Sequence, residues 1–377
     1  MRRTAILIVL FFFLSPSGAH AAGKATFEVA GWIPYWRAAT GTVDTIPHMK
    51  DLKAVMPFGY IVQNDGSLHD AFNFSATSST STANILTTVA RAEKTLLIPT
   101  VMWSNSSAIS NILGSTKSRI ALEDSIAALV KEHDFDGINI DFENKPASTR
   151  KYFSLFLKGL YARMGEKLVY CSIEPRTPPS SAFELMPPKF EYANDYVAIN
   201  KYCDRVQIMT YDQGAIDLKL NAAANSKPYI PIADTKWVEK VITLASKTIN
   251  KNKLMIGIAT YGYEYDLVPL RQGYRYEINW AFNPRYATEL ATSLGVTPTR
   301  NSAGEMSFVY QATTTPAVAG VAAAFPPLRI VWWSDAQAVS DKIRLAKKLG
   351  VRGVAIFKFD GGQDPKMWDV LPHNTKK

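Results

Sequence analysis

Asp136-Gly137-Ile138-Asn139-Ile140-Asp141-Phe142-Glu143 is the stretch on which the fold turns. As a β-strand it sends alternate side chains to opposite faces. Ile138, Ile140 and Phe142 make one face wholly apolar; Asn139, Asp141 and Glu143 put an amide and two carboxylates on the other. A solvent-facing edge strand shows the same alternation, but Val130 and Phe135 just upstream, and helical stretches on both sides, favour a strand covered on both faces. Acid groups on the inner face of such a strand are costly unless they are hydrogen-bonded or put to use. Residues two apart on a strand lie roughly 7 Å apart, so Asp141 and Glu143 influence each other's ionisation. A lone Asp-x-Glu reads most simply as a chance acidic strand end; the full eight-residue string is far more specific.

Working outward, a helical pattern over 118–132, with apolar positions at Ile120, Ile126, Leu129 and Val130, leads into this strand. A second helix over 152–164 follows it, with Phe153, Phe156, Leu157 and Leu160 on one face. Further apolar runs start at Phe27, and span 52–62, 95–102, 167–173, 204–209, 253–260 and 351–357. Thr82 is expected to cap a helix through Arg91, and Ser334 to cap one stopped by Gly350. Eight buried strands alternating with helices are the pattern of a (β/α)8 barrel in the α/β class. The last spacing is much the longest. Residues 266–330 are extra, with strand-like 274–280, a helix over 284–294 and strand-like 307–311, and predict a small α+β insertion between strands seven and eight.

The 377 residues, 47% hydrophobic and 20% charged, suit one large globular barrel. Arg2-Arg3, the apolar run from Ala5 to Leu14 and Ala19-His20-Ala21 read as a signal peptide over 1–21, too short to span a bilayer. The barrel domain is then 22–377, expected to be secreted or periplasmic and monomeric. The formal charge of +9 has no run of like charges behind it, which argues against nucleic acid as partner. Two cysteines, Cys171 and Cys203, leave pairing open. With no Cys-x-x-Cys or His-Glu-x-x-His, no metal site is expected, and no cofactor is implied.

In such barrels the reactive groups sit at the C-terminal ends of strands. Trp36, Tyr60, Trp103, Glu143, Tyr211-Asp212, Tyr261 and Phe357 all fall there. Trp32 and Tyr35 are equally readable as core, as most aromatics are. Aromatic rings around a carboxylate pair suit a sugar, which offers apolar faces to stack on and hydroxyls to bond.

The string over 136–143 resembles the signature of the family 18 glycoside hydrolases, Asp-Gly-x-Asp-x-Asp-x-Glu, with Asn139 where Asp is usual. Its form Gly-x-Asn-x-Asp-Phe-Glu, and Gly31-Trp32-Ile33-Pro34-Tyr35-Trp36, are most similar to the branch with bacterial cell-wall and spore-cortex N-acetylglucosaminidases. Gln207-Ile208-Met209-Thr210-Tyr211-Asp212 resembles the family's sixth-strand motif. The resemblance implies Glu143 as the acid, Asp141 as the holder of the substrate's acetamido nitrogen, Tyr211 as donor to its carbonyl, and Asp212 in contact with the sugar. The implied activity is retaining, substrate-assisted hydrolysis of β-1,4-linked N-acetylglucosamine in peptidoglycan or chitin. Asn139 cannot share a proton with Asp141, so the ionisation of Asp141 is expected to depend more on Glu143. Phe357 stands where the family usually has Trp, so it offers less stacking area and no indole donor. These two departures keep a non-catalytic, lectin-like protein as the alternative. A phosphate-binding barrel finds only Asp360-Gly361-Gly362 in its favour.

Overall fold

The computed structural model describes residues 26–372 except 186, 188–190, 272 and 313–326. Eight strands alternate with helices: β1 Glu28–Ile33, β2 Ala54–Val62, β3 Thr100–Trp103, β4 Gly137–Phe142, β5 Leu168–Ile173, β6 Arg205–Ile208, β7 Leu254–Ala259 and β8 Gly353–Phe357. Each runs parallel to the next, and β8 pairs with β1 to close the barrel. The expected signal peptide over 1–21 lies outside the described residues. Among the described residues no helix is long and apolar enough to cross a membrane.

The period-two alternation sorts side chains into two cores. Ile138, Ile140 and Phe142 of β4 join Val169, Cys171 and Ile173 of β5, and Leu254, Ile256 and Ile258 of β7, under the surrounding helices. Ala30, Trp32, Ala54, Met56, Phe58, Tyr170, Met255 and Ala355 fill the barrel itself. Gly137 opens β4 because a Cβ there would sit 2.3 Å from the Leu168 carbonyl oxygen, where β4 meets β5. Cys171 on β5 pairs with Cys203, just ahead of β6, at a Cα–Cα distance of 6.0 Å.

The helices start where side chains satisfy their free amides. Ser81, not Thr82, caps the helix Thr82–Glu93 by accepting from the Asn84 amide at 3.2 Å. Asp335, not Ser334, caps Ala336–Leu349, and Gly350 ends it at φ +66°. In the helix Thr116–Glu132, Ile120 faces outward, and Leu122, Ile126 and Val130 are buried.

Between β7 and β8 the chain builds a five-stranded antiparallel sheet in the order Tyr274–Phe282, Gly262–Pro269, Leu328–Trp333, Met306–Gln311, Thr299–Arg300, with the helix Pro284–Ser293. It extends beyond the expected 266–330 at both ends, because Gly262–Pro269 follows β7 after only a short turn. Glu305 ties the sheet to the barrel. Its carboxylate, fully buried, accepts from the Ile232 and Ala233 amides, Trp332 Nε1 and Lys342 Nζ at 2.8–3.2 Å. Asp360-Gly361-Gly362 is likewise a packing turn: a Cβ on Gly362 would meet the Asn283 side chain at 2.0 Å.

Candidate active site

On β4 the inward positions rise as a ladder. Asn139, at the deepest level, is fully buried; its Nδ2 donates to Thr100 Oγ1 at 3.1 Å and Ser172 Oγ at 3.0 Å. Asp141 comes next, 4% exposed, and its Oδ1 has no hydrogen-bond partner. Glu143 stands just past the strand end, half-buried, with its amide donating to the Trp103 carbonyl at 2.7 Å.

Burial, then the charge of Glu143, pushes the Asp141 carboxyl well above its ordinary range, with Lys145 opposing and Glu174 adding to the rise. Glu143 is raised as well, by burial and then by Glu174, with Asp212 adding and Lys145 opposing. Burial comes first for both, and the charges of neighbouring carboxylates add to it. A carboxyl raised above its ordinary range keeps its proton to higher pH, which is the direction proton donation requires.

Two strands along the barrel, Tyr211 and Asp212 follow β6. Burial, then the charges of Asp141, Asp212 and Glu143, hold the Tyr211 phenol far above its usual range, so it is a neutral donor. Asp212 has φ +54°, a left-handed backbone that Asp tolerates better than most residues. In that conformation its Oδ1 accepts from Tyr261 at 2.6 Å and Tyr263 at 2.9 Å.

Phe357 is the hub of the aromatic floor. It stacks on Tyr211 at 5.4 Å and meets Trp32, Phe58 and Tyr261 edge-on at 5.8–6.1 Å. Beside it opens a cleft of about 500 Å³ lined by Trp36, Asp212, Tyr261, Tyr263, Trp280 and Phe357 among others. Trp36, on the barrel side, and Trp280, from the inserted sheet, are 50% and 45% exposed, so their rings are open to a ligand.

Two of the expected sugar contacts sit elsewhere. Tyr60 is 2% exposed and packs on Phe74 and Phe135 beneath the helices. A register shift between Phe58 and Tyr60, where β2 pairs with β3, turns Tyr60 outward; Phe58 is the β2 ring beside Trp36, at 6.0 Å. Trp103 is also core. Thr100 reaches inward to Asn139, so Trp103 points outward, edge-on to Phe142 at 5.3 Å. The aromatic pattern in the sequence missed Phe58, Tyr263 and Trp280, and the charged residues Lys145 and Glu174.

The profile of the glycosyl hydrolases family 18 matches residues 35–362. This chain belongs to that family. It is a glycoside hydrolase. The putative sporulation-specific glycosylase YdhD of Bacillus subtilis is 21% identical over 94% of this chain and 79% of its own length. The cortical fragment-lytic enzyme of Bacillus anthracis is 26% identical over 64% of this chain and 50% of its own. Among solved structures, the spore cortex-lytic enzyme SleL of Bacillus megaterium superposes with a TM-score of 0.70 at 22% identity, covering 93% of this chain and 74% of that one. A chitinase from Chromobacterium violaceum does so with 0.72 at 18% identity, covering 92% and 98%.

Proposed function

We propose that this family 18 glycosidase is exported and cleaves β-1,4-linked N-acetylglucosamine bonds in peptidoglycan or chitin, with retention and with the substrate's own acetamide as nucleophile. The observation that carries the reading is Asp141. It is a buried carboxyl group with an unpartnered oxygen, itself raised, beside a second raised carboxyl, Glu143, and the neutral phenol of Tyr211. Family 18 enzymes are substrate-assisted exceptions to the two-carboxylate scheme.

Glu143 gives its proton to the glycosidic oxygen as the C1–O bond breaks. The acetamide carbonyl oxygen bonds to C1 from the opposite face, forming an oxazolinium. Asp141 accepts from the acetamido N–H, through an oxygen that nothing else uses, and so offsets the positive charge that develops. Tyr211 donates to the acetamide oxygen and aligns it. Water, deprotonated by the Glu143 carboxylate, then opens the ring at C1 and restores the starting configuration. Phe357 supports the reacting sugar from below, and Trp36 and Trp280 offer stacking surfaces along the cleft. Asp212, bonded to two tyrosines, is set to contact sugar hydroxyls.

Export rests on the basic and apolar N-terminal run and on the Cys171–Cys203 bond, since disulfides persist in oxidising compartments. The test is to offer purified protein N-acetylglucosamine oligomers and peptidoglycan glycan strands and to weigh the products. Glu143→Gln should lower turnover by about 10²–10⁴-fold with the fold intact by circular dichroism. Product formation at the wild-type rate by this variant would remove Glu143 from the reaction.

A further inference from the structure

Two charged side chains beside the acid take no part in the steps above. Lys145 follows Glu143 by two positions in the loop leaving β4, yet its side chain is 0% exposed. Glu174 follows β5, the strand next to β4, and its side chain is 36% exposed. A buried ammonium is expensive and persists only where it is paired and hydrogen-bonded.

The surroundings of Lys145 meet that requirement. Its Nζ lies 3.2 and 3.3 Å from the two carboxylate oxygens of Glu174, and 4.9 Å from the centre of the Phe153 ring. It also donates to the carbonyl of Phe142. That carbonyl belongs to the peptide joining Phe142 to Glu143, so Lys145 grips the backbone between the two working carboxylates. Glu174 is braced in turn: Asn194 Nδ2 donates to it at 2.6 Å. The Asn194 carbonyl accepts from Arg176, whose guanidinium lies over Tyr192 at 3.7 Å and Tyr196 at 4.2 Å.

We propose that the Lys145–Glu174 pair positions the acid, with Lys145 holding the Phe142–Glu143 peptide and balancing the negative charge of Asp141 and Glu143, and Glu174 holding Lys145. The groups facing Glu143 are Asp141 from β4, Glu174 from the end of β5, and Tyr211 and Asp212 from the end of β6; Lys145 is the cation acting on both Asp141 and Glu143. Asn139 is neutral and spends its amide on Thr100 and Ser172, so it does not serve as a partner for Asp141. The inference rests on the reading of Glu143 as the acid and adds the residues that tune it.

The pair predicts opposite shifts, which a merely structural role would not produce. Removing the cation favours protonated carboxyls, so Lys145→Met should move both limbs of the pH profile of kcat/KM upward. Removing the neighbouring negative charge does the reverse, so Glu174→Gln should move both limbs downward. Each shift is expected to be about one pH unit, with the limbs belonging to the Asp141–Glu143 pair rather than to either residue. Lys145→Arg should return the profile toward wild type.

A fall in kcat with both limbs unmoved, or the two variants shifting the same way, would overturn the proposal. If Lys145→Met does not fold, the half-exposed Glu174→Gln carries the test by itself: a downward shift supports the pair and an unmoved profile defeats it. Glu143→Gln, measured alongside, separates the two levels. Activity surviving in it defeats the acid assignment; activity lost in it, with unmoved profiles in the others, defeats the pair alone.

Discussion

The barrel buries acids at both ends of its interior and treats them in opposite ways. At the bottom, Glu28 on β1 is 3% exposed and meets Arg205 through Nε at 2.6 Å and Nη2 at 2.8 Å, with Arg352 beside it. Burial alone would raise its carboxyl, but bonds to Arg205 and Arg352 overcome this and hold it below its ordinary value of 4.5. At the mouth, Asp141 and Glu143 are raised, and Asp141 keeps an oxygen with no partner. The inserted sheet follows the bottom: Glu264, 1% exposed, accepts from Trp280, Tyr286, Tyr310 and Arg329. A carboxylate that holds the fold together is saturated with donors; one that awaits a substrate is left short of them, at a cost in stability.

Exchanging charge for amide at the two ends tests this contrast most strongly. Glu28→Gln leaves Arg205 and Arg352 without their shared acid and should cost about 3–5 kcal/mol by chemical denaturation, with activity per folded molecule kept. Glu143→Gln should cost nothing and stabilise slightly at neutral pH, because it removes repulsion. The pH dependences also differ in sign. The contribution of Glu28, lowered in the fold, is fully present above its unfolded value and fades as pH falls through its folded value. The raised pair at the mouth penalises the fold when ionised, and that penalty lifts as pH falls through the folded values. Equal losses from both substitutions would end the distinction.

A second way to probe the contrast is the bond joining β5, which Glu174 follows at the mouth, to the segment before β6, which starts with Arg205 at the bottom. Cys171 and Cys203 are 32 residues apart in sequence. Closing a loop of that length is worth about 3–4 kcal/mol by unfolded-chain entropy, with 2–4 kcal/mol typical in practice. Cys171→Ala/Cys203→Ala should lose that much stability while the pH profile of activity stays in place, since both sulfurs lie in the outer core, away from the carboxylates. A displaced profile would mean that the bond also sets the geometry of the mouth.

These tests use features that differ in how readily they were read from the chain. The barrel was legible because inward and outward residues alternate strictly along β4, and the acid ladder is local to that strand. The caps missed by one residue because neighbouring Ser, Thr and Asp all qualify by type, and backbone geometry chooses among them. Tyr60 was misplaced by a register shift that no local pattern announces, and Trp103 by a parity that shows only once β3 is aligned with β4. Lys145 and Glu174 are 29 positions apart and meet only because β4 and β5 are neighbours. Trp280 lines the cleft only because the inserted sheet folds back over the barrel mouth.

The smallest expected effect concerns Asn139, which stands between the neutral interior and the acid mouth. Its amide donates to Thr100 and Ser172, and its Oδ1 accepts from Ser172 at 3.2 Å. An aspartate placed there would be fully buried with two hydroxyls beside it, and burial favours its neutral form. Protonated, it keeps one donor for this network, so Asn139→Asp should fold and retain activity. Whatever fraction ionises adds negative charge roughly 7 Å from Asp141 along the strand and makes ionisation of Asp141 harder. The limbs of kcat/KM, which belong to the Asp141–Glu143 pair, should therefore rise, by a few tenths of a pH unit up to about one. An unmoved profile would mean that the pair is insulated from the layer beneath it, and that burial and the charges of Glu174 and Asp212, opposed by Lys145, set its raised state.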